Sequence, residues 1–244
     1  MYLTVNHFEK AMGVERSVAA FFVDRRLPDN NSFWQGKYLY IGFGNGYVSI
    51  PVYYDILRRI GLPVGVLLAE KHIELMEQLM DFAVQHEKKE IDTRQELDSI
   101  RALLQGRIHH AAYYEQLNEY LDQEDLNPIG PFGLEYRSLN RADVFLYILC
   151  DLPLTDDQWQ QALRYWYALH PSYLIIDDVR DYGKDKEDGE DNVVVDLGGG
   201  AEGFERTFSL LQKNAATIEE INPLLANYLR EYEPNLRQLV PATF

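Results

Sequence analysis

The stretch LIIDDVRDYGKDKEDGEDNVVVDLGGG, residues 174–200, decides how this chain is read. An apolar lead-in, Tyr173-Leu174-Ile175-Ile176, runs into a burst of acids and then into glycine. Wound as a helix at about 100° per residue, Asp177, Asp178, Asp181 and Asp185 fall within an arc of about 100°. Like charges at that spacing cost an isolated helix about 0.2–0.5 kcal/mol per pair, and more where solvent screens poorly. On a solvated face Arg180, Lys184 and Lys186 would neutralise them. The acids begin, however, where the helix leaves the core rather than along an outer face. Oxygen ligands one helical turn apart suit hard divalent cations such as Mg²⁺, which keep some waters and accept phosphates as further ligands.

Working outward, the chain reads as long amphipathic stretches separated by short breaks. Residues 1–50 are the least regular, and RLPDNNSFWQGKYLYIGFGNGYVSIP (26–51) reads as loop, with a turn at Gly42–Gly46. Helical spacing then covers YVSIPVYYDILRRIG, VGVLLAEKHIELMEQLMDFAVQHEKK and TRQELDSIRALLQGRIHHAAYYEQLNEYLDQ, the last as one long run with His109 and His110 inside it. NPIGPFG breaks the pattern, and EYRSLNRADVFLYILCDL (135–152) follows as a helix. TDDQWQQALRYWYALH ends at His170, opened by Thr155 as N-cap, and Pro171 starts a separate helix. The NVVV run (192–195) reads as a short strand, Gly198–Gly200 as a lid or connection, and FERTFSLLQKNAATIEEINPLLANYLREYEPNLRQL as closing helices. The expectation is an all-α, single-domain bundle of roughly eight to ten helices.

Charge narrows the partners. Lys and Arg number 23 against 39 Asp and Glu, a formal charge of −16. That balance repels nucleic-acid backbones and anionic lipid, and it can hold a diphosphate only where metal ions reverse the local sign. Cys150, the sole cysteine, excludes an intramolecular disulfide and a multi-cysteine zinc site. The N-terminus lacks signal-peptide order and no run approaches the roughly 18 apolar residues of a membrane span, so a soluble cytoplasmic protein is expected. A homodimer is left open. An EF-hand alignment on Gly189 puts Lys184 and Lys186 at ligand positions and fails. A di-iron bundle also fails, because no histidine has Glu three residues before it.

Asp177-Asp178-Val179-Arg180-Asp181-Tyr182-Gly183-Lys184-Asp185, continued by Gly189-Glu190-Asp191-Asn192-Val193-Val194, resembles the second metal motif of class I terpenoid synthases. The helix EYRSLNRADVFLYIL resembles the one that carries a diphosphate-sensing arginine in bacterial members, and Arg137 or Arg141 would be that residue. The similarity covers roughly residues 134–230. It implies the terpenoid-synthase fold, with Mg²⁺ or Mn²⁺ on Asp177, Asp181 and Asp185. Lys184 and Arg180 would meet phosphate oxygens. The implied reaction is ionisation of an isoprenyl diphosphate, as a lyase or prenyltransferase. Asp185 stands where the family usually has Glu, and Asp181 where it often has Ser or Thr. The family's facing DDxxD-type motif has no counterpart; Asp55 and the stripe Glu70, Glu74, Glu77, Asp81 are the candidates for its place. Trp159, Trp166, Tyr167, Tyr173, Phe145 and Tyr147 could face a cation, though aromatics at helical spacing are ordinarily core. A non-catalytic protein of the same fold, serving as a binding or interaction module, is the alternative.

Overall fold

The long helix that carries the acids organises the molecule. The structure is a computed structural model and describes residues 4–25 and 46–241. In chain order the helices are α1 (Val5–Ala11), α2 (Arg16–Asp24), α3 (Gly46–Arg59), α4 (Val64–Leu67), α5 (Glu70–Glu87), α6 (Thr93–Leu104) and α7 (Ala111–Leu121). Two 3₁₀ turns, Arg137–Asn140 and Asp143–Leu146, lead into α8 (Tyr147–Cys150), followed by α9 (Asp156–Asp188). Then come α10 (Val193–Asp196), α11 (Gly200–Glu219), α12 (Pro223–Arg230) and α13 (Glu233–Arg237). Among the described residues there is no strand, only an isolated bridge between Ile129 and Phe132. The fold there is all-α. No helix among them is long and apolar enough to cross a membrane. One apolar core runs from Phe8 to Leu236.

Helix α9 has 33 residues and so extends about 50 Å. It starts on a capping box: Gln158 N–H donates to Thr155 Oγ1 (3.2 Å) and Thr155 N–H to Gln158 Oε1 (3.0 Å). It stops at Gly189, whose φ of 71° is the left-handed conformation that glycine adopts without strain. Pro171 does not begin a helix, and His170 does not end one; both lie inside α9. A proline there removes a backbone bond and costs about 3 kcal/mol. Burial of Ala168, Leu169, Ser172 and Tyr173 around it offsets that cost, so tertiary packing overrides the break the sequence suggests.

Other expectations change for equally local reasons. Helices α1 and α2 lie within the segment expected to be irregular: Thr4 Oγ1 accepts from His7 N–H, and the Glu15 carboxylate from Ser17 and Val18 N–H. Residues 26–45, with most of the expected Gly42–Gly46 turn, lie outside the described residues. The run 93–121 is two helices, parted near Gly106 with φ 76°. His109 and His110 sit in that break, where His109 N–H donates to Cys150 O at 3.0 Å. NVVV is not a strand, because Asn192 Oδ1 accepts from Val194 N–H and caps α10.

The stretch 134–151 is not one helix but two 3₁₀ turns and a single helical turn, and polar side chains explain this. Asn140 receives Leu134 N–H at 2.8 Å and donates to Leu134 O and Leu126 O. Asp143, fully buried, accepts from Tyr120 Oη (2.7 Å), Trp166 Nε1 (2.8 Å) and Tyr167 Oη (3.1 Å). Burial pushes its carboxyl up to about 7 although all three donors pull the other way. Asp143→Ala would leave three donors unsatisfied, and orphaned buried groups cost about 1–3 kcal/mol each. Equilibrium urea unfolding should show a loss of about 3 kcal/mol or more for Asp143→Ala, and a smaller loss for Asp143→Asn, which keeps one acceptor.

Candidate functional site

A cleft of about 680 Å³ opens where α5, α6, the end of α7 and the 3₁₀ turns meet α9. Its floor is apolar, formed by Val84, Leu97, Leu121, Val144, Phe145 and Leu174, and its rim carries Arg137, Arg141, His86, Glu96 and Asp191. Leu174 links it to the acidic stretch. Residues 174, 177, 178, 181 and 185 share one face of a helix, so the helix that contributes to the floor raises its carboxylates beside the arginines.

Those carboxylates do not share one environment. Asp178 and Asp185 are buried, Asp177 is half-buried and Asp181 is exposed. Asp178 pairs with Arg141 and accepts Val193 N–H at 2.6 Å. Burial pushes its carboxyl up to about 6, against the pull of Arg141 and of that N–H. Asp185 accepts from Asn192 Nδ2 at 2.8 Å, and the same amide donates to Asp178 O at 2.8 Å. Asp177 and Asp181 have no hydrogen bond or ion pair among the described residues. Burial, and then the neighbouring Asp181 charge, raise the Asp177 carboxyl above its ordinary value.

Of the expected cationic residues, the structure brings two to the cleft. Arg141 holds Asp178 and donates to Asp191 O at 2.9 Å. Arg137 bridges Asp125 at 2.5 Å and Asp191 at 3.4 Å. The other two lie elsewhere: Arg180 sits over the Tyr232 ring at 5.5 Å, and exposed Lys184 lies 3.9 Å from Asp188. The candidates for a facing acidic motif are also dispersed. Asp55 is completely buried and occupied by Arg58 (2.8 Å), Arg59 (2.6 Å) and Glu15 N–H (3.1 Å), so it is a structural anchor. Glu77 is buried against Arg25, which also holds Glu70; Glu74 is exposed, and Asp81 accepts from Gln85 at 2.9 Å. Among the described residues no group of three or more His, Cys, Asp or Glu is placed to hold a metal ion.

Phe145 also closes a second pocket, of about 10 Å³, lined by Tyr53, Tyr54, Met76, Met80, Trp166 and His170. That is room for about one water. His170 lies tilted against Trp166 with ring centroids 3.6 Å apart, and its Nε2 is shut from solvent without a hydrogen-bond partner among the described residues. Burial pushes the imidazole down to about 3, which leaves it neutral. An unpaired buried nitrogen costs about 1–3 kcal/mol. The sequence places His170 at a helix end, whereas it lies inside α9; its spacing of four from Trp166 is the sequence signal for their contact. Trp159 stacks on Tyr113 and Tyr167 bonds Asp143, so both serve the core.

Set against models of known protein families, curated proteins and solved structures, the chain finds no match.

The burial of Asp178, opposed by Arg141, sets a pH dependence. A carboxyl raised from 3.8 to about 6 on folding stabilises the folded state most below 3.8, and that contribution is lost as pH rises to about 6. Unfolding free energies measured from pH 4 to 7 should therefore contain a declining component that Asp178→Asn removes. Arg141→Gln should move the component to higher pH, because the counter-charge that lowers the Asp178 pKa is gone.

Proposed function

We propose that the cleft binds an isoprenyl diphosphate with Mg²⁺, or Mn²⁺ in its place, on a fold of the terpenoid-synthase type. The observation that carries this reading is the Asp177–Asp181 pair: two carboxylates with no hydrogen bond or ion pair among the described residues, on the helix face that includes Leu174 of the cleft, with Arg141 near enough to Asp177 to lower its pKa. The donor set fits the ion. Mg²⁺ is ordinarily held by one or two carboxylates together with substrate phosphates and waters rather than by an all-protein cage. Asp185, whose carboxylate already accepts from Asn192, stands outside that pair. When bound, the ion supplies the positive charge that lets a chain of formal charge −16 hold a diphosphate and stabilises it as a leaving group.

The chain's own residues then have separate tasks. Arg137 and Arg141 present N–H donors to phosphate oxygens, a geometry that guanidinium groups suit. The apolar floor from Leu174 to Phe145 takes the hydrocarbon and excludes water from the bond to be broken. Ionisation of the carbon–oxygen bond, as in a lyase or prenyltransferase, is the reaction this arrangement favours. A second reading has its own support. Asp178 and Asp185 already engage Arg141 and Asn192, and the facing acids are dispersed, which suits a binding or interaction module of the same fold without turnover.

Titration calorimetry with farnesyl diphosphate, with and without Mg²⁺, tests both. Metal-dependent binding, weakened about tenfold or more by Asp177→Ala and Asp181→Ala, together with pyrophosphate release, is expected of the enzyme. The same binding without pyrophosphate release selects the module. Binding indifferent to Mg²⁺ and to both substitutions discards the site.

A further inference from the structure

We infer that Thr93, His86 and Glu96, where α5 meets α6, form a second catalytic site: a nucleophile, a base and an orienting acid for the hydrolysis of a carboxylic ester with an apolar acyl group. The site uses none of the acids of α9 and stands independently of the diphosphate reading.

The three side chains are already joined in order. Thr93 Oγ1 lies 3.2 Å from His86 Nε2, and His86 Nδ1 lies 3.1 Å from Glu96 Oε2. Glu96 is buried, His86 half-buried and Thr93 exposed, so the acid is fixed inside while the hydroxyl is open to a substrate. Ionised Glu96 holds the imidazole proton on Nδ1, which leaves the Nε2 lone pair to take the Thr93 proton. Burial raises the Glu96 carboxyl and His86 opposes the rise. The backbone beneath is fixed by the capping box of α6: Gln95 N–H donates to Asp92 Oδ1 at 2.8 Å, and Asp92 N–H to Gln95 Oε1 at 2.9 Å.

All three residues line the cleft of about 680 Å³, together with Ala83, Val84, Leu97 and Leu121. These apolar side chains supply a surface for the acyl group, with the hydroxyl at its edge. Asp92 takes the N–H groups of Gln95 and Glu96, while those of Thr93 and Arg94 have no acceptor among the described residues and are free to meet an oxyanion. In the reaction Thr93 Oγ bonds to the carbonyl carbon and its proton passes to His86 Nε2. The bond from that carbon to the alcohol oxygen then breaks, and the alcohol leaves with the proton. A water, deprotonated by the same nitrogen, releases the carboxylic acid from Thr93 and restores the hydroxyl. Glu96 is a positioning residue, since it acts through His86.

The test uses the full chain, with no divalent cation added, and p-nitrophenyl butyrate as the probe. Release of p-nitrophenol is expected, with kcat lower by about a hundredfold or more in Thr93→Val and in His86→Gln. Glu96→Gln should lower kcat by about tenfold or more at unchanged KM, whereas a role confined to tying α5 to α6 would lower the melting temperature and leave kcat alone. An alkyl fluorophosphonate should phosphonylate Thr93 Oγ with loss of fluoride, and peptide mass spectrometry should place the adduct on that residue. Thr93→Ser keeps the hydroxyl and should retain both turnover and adduct, so the test stays decisive where Thr93→Val does not fold. Absence of p-nitrophenol release, a wild-type rate in Thr93→Val, or a fluorophosphonate reaction that spares Thr93 overturns the proposal.

Discussion

Two buried carboxylates hold the segment from Arg137 to Leu146 against the long helix, and the candidate site exists because they do. Asp143 reaches from the segment to Trp166 and Tyr167 on α9, while Asp178 reaches back from α9 to Arg141. Each lies deep enough for burial to raise its carboxyl. Neither is there for cheap stability, since desolvating an ionised group costs several kcal/mol. What they contribute is position. They force a sequence with helical spacing into 3₁₀ turns, and only in that conformation do Arg137, Arg141, Val144 and Phe145 all line the same cleft.

The acids of α9 follow from the same constraint. Four carboxylates on one face would repel each other, and the fold distributes them by depth. Asp178 and Asp185 are drawn inward by Arg141 and by Asn192, whose amide also bonds Asp178 O and whose Oδ1 caps α10. Asp177 and Asp181 are left with each other as charged neighbours. A repulsive pair beside a guanidinium is electrostatically incomplete in a way that the neutralised acids are not. Surface ion pairs such as Arg164–Glu220 or Arg237–Glu205 are exposed and close their charge locally, so they carry little energy and no such implication.

How much of this was legible in the sequence depends on whether the cause was local. The spacing in α5, α6, α7 and α11 is read directly because each helix buries one stripe, and Thr155 is read because a capping box spans four residues. The passage of α9 through Pro171 was not legible: proline argues for a break, and only burial of Leu169, Ser172 and Tyr173 by other elements reverses it. The 3₁₀ turns were missed because Asn140 and Asp143 act through partners such as Leu126, Tyr120 and Trp166. Likewise the shared face of Asp177, Asp178, Asp181 and Asp185 was visible, but not which of them is paired, because Arg141 and Asn192 lie far along the chain or beyond the helix end. Arg180 and Lys184 were grouped with the acids by nearness in sequence, yet Arg180 lies over the Tyr232 ring and the Lys184 ammonium is turned toward Asp188.

His170 shows why continuity of α9 is more than a matter of shape. Were Pro171 to start a new helix, residue 170 would be a connector, free to meet water. Because the helix runs on, the imidazole is fixed one turn beyond Trp166 and tilted against it, inside the core and beside Tyr53. Its Nε2 thereby loses solvent without gaining a partner among the described residues. The fold thus carries two unfavourable elements within a few residues, a proline inside a helix and an unpaired nitrogen. Both lie on the helix that also presents Asp177 and Asp181. Replacing Pro171 and His170 by any pair of helix-forming apolar residues would remove both costs, so stability alone does not explain this sequence.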